Sequence, residues 1–227
     1  MNFRAIDLNA VEEVADVLKD LLHEIVFVGG SVISMYIDDP AADEVRTTND
    51  IDFTVQLTGY SNWIKLQETL QKLRIYPNPE GHAMCNFIYK GILIDIIPSE
   101  DSPVGKANRW YKPGFSYLKS VKVGKHNIQI FQLPYFLATK FEAFNDRGKD
   151  YRTSHDFEDI IYVLDNCTTA AEDVINADLQ VKSYLKKELI KIKDSMYFEE
   201  IVSAHIHPNM LNERLSLVIE KINKILS

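Results

Sequence analysis

The run Ile25-Val26-Phe27-Val28-Gly29-Gly30-Ser31 and, after a polar segment, Asn49-Asp50-Ile51-Asp52-Phe53-Thr54-Val55 decide the fold. Four consecutive apolar residues read as a short buried strand, and the glycine pair ends it. Val32 to Ile37 then reads as a short helix, and Asp38 to Asn49, polar with Pro40, as a loop. Ile51 to Leu57 alternates like a second strand. Positions i and i+2 of a strand share a face, so Asp50 and Asp52 stand side by side. Two such carboxylates repel each other, and a divalent cation removes that cost. Mg²⁺ in particular takes carboxylates together with phosphate oxygens. The glycine turn offers bare backbone N–H groups and Ser31 a hydroxyl, both suited to an anion such as phosphate.

Working outward, Ile92-Leu93-Ile94-Asp95-Ile96-Ile97 is an aliphatic strand with one carboxylate in its middle. A lone acid there is unfavourable without partners. Beside the Asp50/Asp52 strand it completes a three-carboxylate metal site. Lys90-Gly91 reads as the turn of a hairpin between this strand and Cys85 to Tyr89. Val121 to Leu133 holds a second hairpin turning at Gly124-Lys125-His126-Asn127. Helical periodicity marks Asn9 to His23 and Tyr60 to Leu73. From Pro134 the strand signals stop, and helices are predicted at Tyr135 to Asp146, Ser154 to Leu164, Val181 to Lys193 and Glu213 to Leu226. The fold class is therefore α+β, with an α+β catalytic domain over 1–133 and a helical domain over 134–227.

The chain of 227 residues is 46% hydrophobic and 26% charged, which excludes disorder, collagen and coiled coil. A net charge of −8 excludes a generally basic nucleic-acid coat. Between Ser102 and Phe141, however, there is no acidic residue, and Lys106, Arg109, Lys112, Lys119, Lys122, Lys125 and Lys140 fall there. This is either a solvated stretch or a basic face for polyphosphate or RNA, with Trp110, Tyr111, Phe115 and Tyr117 as rings that can stack on bases. Cys85 and Cys167 lack metal-ligand spacing and fit a reducing, cytoplasmic compartment. The N-terminus lacks an apolar signal core, and the longest apolar stretch, Ile25 to Ile37, is too short and too interrupted for a bilayer, so no membrane role is expected. His205 and His207 read as surface histidines near a turn.

Gly30-Ser31, Asp50-x-Asp52 and the later-strand Asp95 together resemble the polymerase-beta-like nucleotidyltransferase superfamily. Val28-Gly29-Gly30-Ser31, Pro40 and Arg46-Thr47-Thr48-Asn49-Asp50-Ile51-Asp52 are similar, more narrowly, to the AbiEii-type nucleotidyltransferase toxins of abortive-infection and toxin–antitoxin systems. A second segment agrees: Leu137 to Phe144 around Lys140, then Asp146-Arg147-Gly148-Lys149-Asp150, then Ser154-His155-Asp156-Phe157-Glu158-Asp159-Ile160. The family has a lysine helix, an arginine and a basic-Asp-x-x-Asp segment in that order. Here His155 stands where relatives often carry arginine, and the stretch from Arg147 to Asp156 is longer.

The resemblance implies a nucleotidyltransferase-like mixed sheet flanked by helices, followed by a helical C-terminal half. It implies transfer of a nucleoside monophosphate from an NTP to an acceptor hydroxyl, with release of pyrophosphate. Asp50 and Asp52 would hold two Mg²⁺ ions. Asp95 would complete one of them and help the acceptor lose its proton. Gly29, Gly30 and Ser31 would hold the β/γ-phosphates, and Lys140, brought into the cleft by the helical half, would add charge to the triphosphate together with Arg147. Asp156 and Asp159, three apart on one helix face, would act on the acceptor side or order Arg147 or Lys149. The implied acceptor is an RNA 3′ end such as that of tRNA, reached through the 106–125 basic stretch, and a cognate antitoxin is an implied partner. Nucleotidylation of a small molecule or a protein, or a non-catalytic nucleotide-binding module, are the alternatives that the same residues leave open.

Overall fold

Asp7 starts the first helix. Its carboxylate accepts from the Ala10 N–H at 2.8 Å, and α1 (Leu8–Val17) buries Ala10, Val11, Val14 and Ala15. The helix was expected to reach His23. Instead Leu21 N–H donates to the Leu18 carbonyl and Glu24 N–H to the Leu21 carbonyl, and these two successive turns lead directly into β1 (Ile25–Val28). A 3₁₀ helix (Gly30–Tyr36) follows the glycine pair. The remaining elements of the first half are β2 (Asp50–Val55), α2 (Tyr60–Lys72), β3 (Tyr76–Pro77), β4 (Asn86–Tyr89), β5 (Ile92–Pro98), α3 (Tyr111–Gly114), β6 (Leu118–Val123) and β7 (His126–Phe131). The second half comprises α4 (Leu133–Arg147), α5 (His155–Asn166), α6 (Ala170–Ile175), α7 (Leu179–Lys193), α8 (Phe198–Ser203) and α9 (Leu211–Leu226). This computed structural model describes Arg4 and residues 6–57, 59–148 and 150–227. Lys149, a candidate partner of Asp156 and Asp159, lies outside the described residues.

The strands form one seven-stranded mixed sheet in the order β3-β4-β5-β2-β1-β7-β6. β2 pairs antiparallel with β1 and parallel with β5, and β1 pairs parallel with β7. The hairpins β4–β5 and β6–β7 are antiparallel. The second hairpin begins at Leu118, three residues before the apolar pattern suggests, because β6 is an edge strand exposing Lys119, Ser120 and Lys122. Edge lysines also discourage pairing with another chain. Alternation places Ile51, Phe53, Ile94 and Ile96 on the core face, each at most 1% exposed. Phe27 packs on Phe53, and Trp63 of α2 meets Phe87 of β4 edge-on at 5.9 Å.

The chain divides into two compact units. One runs up to Val32 and resumes from Arg46 to Gln132; the other comprises Ile33–Val45 and Leu133–Ser227. The polar segment is thus divided: its part up to Val45 belongs with the helices, and Arg46 to Asn49 belong with the sheet. Within that unit the Tyr36 ring lies 4.6 Å from Phe136. Asp38 accepts from the Thr168 backbone N–H and hydroxyl, and the Arg214 guanidinium donates to Asp39 and to Asn166. Helix α5 is capped by Ser154, whose hydroxyl accepts from Phe157 N–H. His205 is half-buried rather than exposed: its Nε2 donates to the Tyr151 carbonyl at 2.7 Å, and its ring meets Phe157, whereas His207 is exposed as expected. Among the described residues no helix is long and apolar enough to cross a membrane.

Candidate active site

Register brings the acids together. Asp52 stands opposite Val28 across β1–β2 and beside Asp95 across the parallel β2–β5 pair. Asp50, two residues earlier on β2, shares the face of Asp52. One oxygen from each of Asp50, Asp52 and Asp95 lies within 4.8 Å of the others. Among the described residues no second such group of acids, histidines and cysteines occurs. The aliphatic neighbours of all three point into the core, so the carboxylates are left half-exposed.

Each acid has local support. The Thr48 hydroxyl, itself buried, donates to Asp50 Oδ1 at 3.1 Å. The Asn86 amide donates to Asp95 Oδ1 at 2.6 Å. Burial pushes the Asp95 carboxyl above its ordinary value; the Asn86 hydrogen bond opposes this, and the charge of Asp50 adds to it. Burial likewise raises the Cys85 thiol, with the charges of Asp95 and Asp52 adding, so this cysteine is a protonated neighbour of the acids. Thr48 and Asn86 were not identified as site residues from sequence. Thr48 lies inside the quoted Arg46–Asp52 motif, whereas Asn86 carries no periodic or motif signal.

The glycines of the turn make room for this arrangement. Gly29 has φ 74°, and a Cβ there would sit 1.9 Å from Asp52 Oδ2. A Cβ on Gly30 would lie 3.1 Å from the Thr48 side chain and 3.4 Å from the Arg46 guanidinium. Arg46 is therefore a cation close to the turn, in the same unit as the acids. Ser31 is buried, and its hydroxyl donates to the Val28 carbonyl at a long 3.4 Å. Gly29→Ala is expected to displace Asp52 and to strain the backbone by about 1–2 kcal/mol. The check is a melting curve beside a Mn²⁺ titration, with both stability and metal affinity expected to fall.

Lys140, Arg147, Asp156 and Asp159 form a second cluster, inside the helical unit. Lys140 is 7% exposed; its ammonium lies 2.7 Å from Asp159 and 3.6 Å from Asp156. Arg147, largely exposed, donates through Nε and Nη2 to both oxygens of Asp156. Burial would raise the Asp156 carboxyl, but the Arg147 hydrogen bonds and the Lys140 charge outweigh it and hold it below the ordinary value.

The basic stretch is exposed at Lys106, Arg109, Lys112, Lys119, Lys122 and Lys125. Lys112 pairs with Glu100 and Lys125 with Asp16, so part of its charge is neutralised locally. Trp110 and Tyr111 are not base-stacking platforms: they are 4% and 8% exposed, and Tyr111 stacks on Phe131. Their rings serve the core of the sheet unit, which composition alone does not reveal.

No protein-family model matches the chain. No curated protein matches it. Among solved structures the chain is similar to an antigenic nucleotidyltransferase-like protein from Paracoccidioides brasiliensis, at 15% identity and a TM-score of 0.54, over 92% of this chain and 99% of that one. At that identity the likeness concerns the fold, and the fold of this chain is nucleotidyltransferase-like: a seven-stranded mixed sheet with helices, followed by a helical C-terminal half.

Proposed function

We propose that the chain is a metal-dependent nucleotidyltransferase that moves a nucleoside monophosphate from an NTP to an acceptor hydroxyl. The observation that carries this reading is the convergence of Asp50, Asp52 and Asp95 in a nucleotidyltransferase-like fold. Three carboxylates are hard oxygen donors, the set that suits Mg²⁺ or Mn²⁺ rather than softer metals. Bound there, the cations would neutralise triphosphate charge and stabilise the entering and leaving oxygens of an in-line displacement.

The chain's own residues then have separable tasks. Asp50, Asp52 and Asp95 hold the cations, and Asp95 also takes up the proton of the acceptor hydroxyl. The N–H groups of the Gly29-Gly30-Ser31 turn bind phosphate oxygens, and the Ser31 hydroxyl does so by giving up its long bond to the Val28 carbonyl. Lys140 and Arg147 enter the reading on the sequence resemblance alone. In their own unit they neutralise Asp156 and Asp159. The acceptor we assign is an RNA 3′ end such as that of tRNA, in a toxin–antitoxin setting. The resemblance to the AbiEii-type toxins and the exposed lysines of the 106–125 stretch support it.

The test is incubation with each α-labelled NTP, Mg²⁺, and total RNA, total protein or a metabolite extract in separate reactions. Mg²⁺-dependent labelling of RNA with release of pyrophosphate is expected. Label in the protein or metabolite arm would move the acceptor. NTP binding without turnover in any arm would leave a non-catalytic nucleotide-binding module.

A further inference from the structure

We propose that Asn86 is a positioning residue of the metal site, holding one oxygen of Asp95 so that the carboxylate meets a cation in one fixed orientation. The inference rests on the metal-binding reading of Asp50, Asp52 and Asp95.

Asn86 opens β4 directly across from Asp95 on β5. Its Nδ2 donates to Asp95 Oδ1 at 2.6 Å, and its Oδ1 accepts from the Ala83 backbone N–H at 2.9 Å. A backbone N–H can only donate, so the carbonyl end of the amide must face Ala83 and the amino end must face Asp95. A flipped amide would lose both bonds. The backbone of Asn86 is also fixed. Its N–H donates to the Ala83 carbonyl at 3.1 Å, and its carbonyl accepts from Asn78 N–H at 2.9 Å. The neighbouring Cys85 carbonyl accepts from Ile96 N–H at 2.9 Å, which ties the same turn to the residue after Asp95. The 78–86 turn is thus a frame that presents one amide donor to one carboxylate oxygen.

The chemistry of the donor matters as much as its position. Asp95 shares a 4.8 Å neighbourhood with two other carboxylates. A cationic donor would compete with a metal for them, and a carboxylate would repel them. A neutral amide restrains rotation of the Asp95 carboxyl without either effect. Hydrogen bonds of this kind, made to metal ligands by residues behind them, are worth about 10–100-fold in metal affinity.

The experiment measures Mn²⁺ binding to nucleotide-free protein by the electron paramagnetic resonance of free Mn²⁺, in wild type and Asn86→Ala, beside melting curves in metal-free buffer. Affinity is expected to fall about 10–100-fold in Asn86→Ala, with the melting temperature little changed. Asn86→Asp covers the case in which the alanine variant does not fold. It keeps an oxygen toward Ala83 N–H, and so the turn, but replaces the donor with a repelling oxygen. In that variant kcat at saturating metal is expected to fall about tenfold or more with the KM for NTP unchanged. Wild-type Mn²⁺ affinity in Asn86→Ala, or wild-type kcat in Asn86→Asp, would overturn the proposal. Failure of the wild-type protein itself to bind Mn²⁺ would instead remove the metal-site reading on which the proposal stands.

Discussion

Asp52→Asn is expected to abolish NTP turnover while leaving the fold intact or slightly more stable. Asp52 is the middle acid of the site, beside Asp95 on one strand and against Gly29 on the other side. In the proposed metal-dependent reaction Asp52 is a ligand whose charge the substitution removes, and metal-assisted charge stabilisation contributes several kcal/mol. At about 1.4 kcal/mol per decade of rate, the loss is on the order of a thousandfold or more. The stability effect has the opposite sign. Three acids with oxygens within 4.8 Å of one another repel when no cation is present, so a neutral amide relieves strain. In metal-free buffer the variant therefore melts at or above the wild-type temperature. Added Mg²⁺ raises the wild-type melting temperature by mass action and the variant's much less. A variant that melts lower without metal would contradict the dominance of carboxylate repulsion at this position.

Lys140→Met should produce the largest loss of stability. The substitution keeps the length and apolar stem of the side chain and removes only the charge. It leaves the carboxylate of Asp159, 2% exposed, without its 2.7 Å partner, and leaves Asp156 with Arg147. Breaking a buried ion pair from one side costs about 3–5 kcal/mol, which is about 10 °C of melting temperature in a chain of this size. The pH dependence follows from the Asp156 carboxyl, whose value in the folded protein is lowered. A group lowered on folding adds stability above its unfolded value, about 3.9 for aspartate, and loses it as pH falls through the folded value. The gap between wild type and variant is therefore full at neutral pH and narrows below about pH 4. Equal melting temperatures at neutral pH would reduce Lys140 to a lysine with no stake in its cluster.

The cluster of three carboxylates was largely legible in the sequence because its signal is local. Asp50 and Asp52 sit two apart on one face of an alternating strand, and Asp95 interrupts an aliphatic run; both signals are read within a few residues. The register that joins them is not local. The parallel pairing of β2 with β5 spans residues more than forty positions apart, and nothing in either strand's pattern specifies it. Asn86 was invisible for a related reason: a polar residue at the start of a strand is ordinary until its partner is known. Asp156 and Asp159 could be placed on one helix face, but that Lys140 of another helix lies against them depends on how α4 and α5 pack. The segment 33–45 has no periodicity, and its attachment to the helical unit runs through Asp38 with Thr168 and Asp39 with Arg214, partners 130 and 175 positions apart in the chain. Helices α6 and α8, six residues each, are too short to show an apolar repeat.

Whether Asp50, Asp52 and Asp95 together hold a divalent cation is decided by the anomalous scattering of Mn²⁺ in crystals grown with Mn²⁺ and a non-hydrolysable NTP. A Mn²⁺ peak bonded to oxygens of these aspartates and to a phosphate of the nucleotide is expected. Nucleotide bound with no anomalous peak at the three carboxylates, or a peak held by other residues, would contradict it.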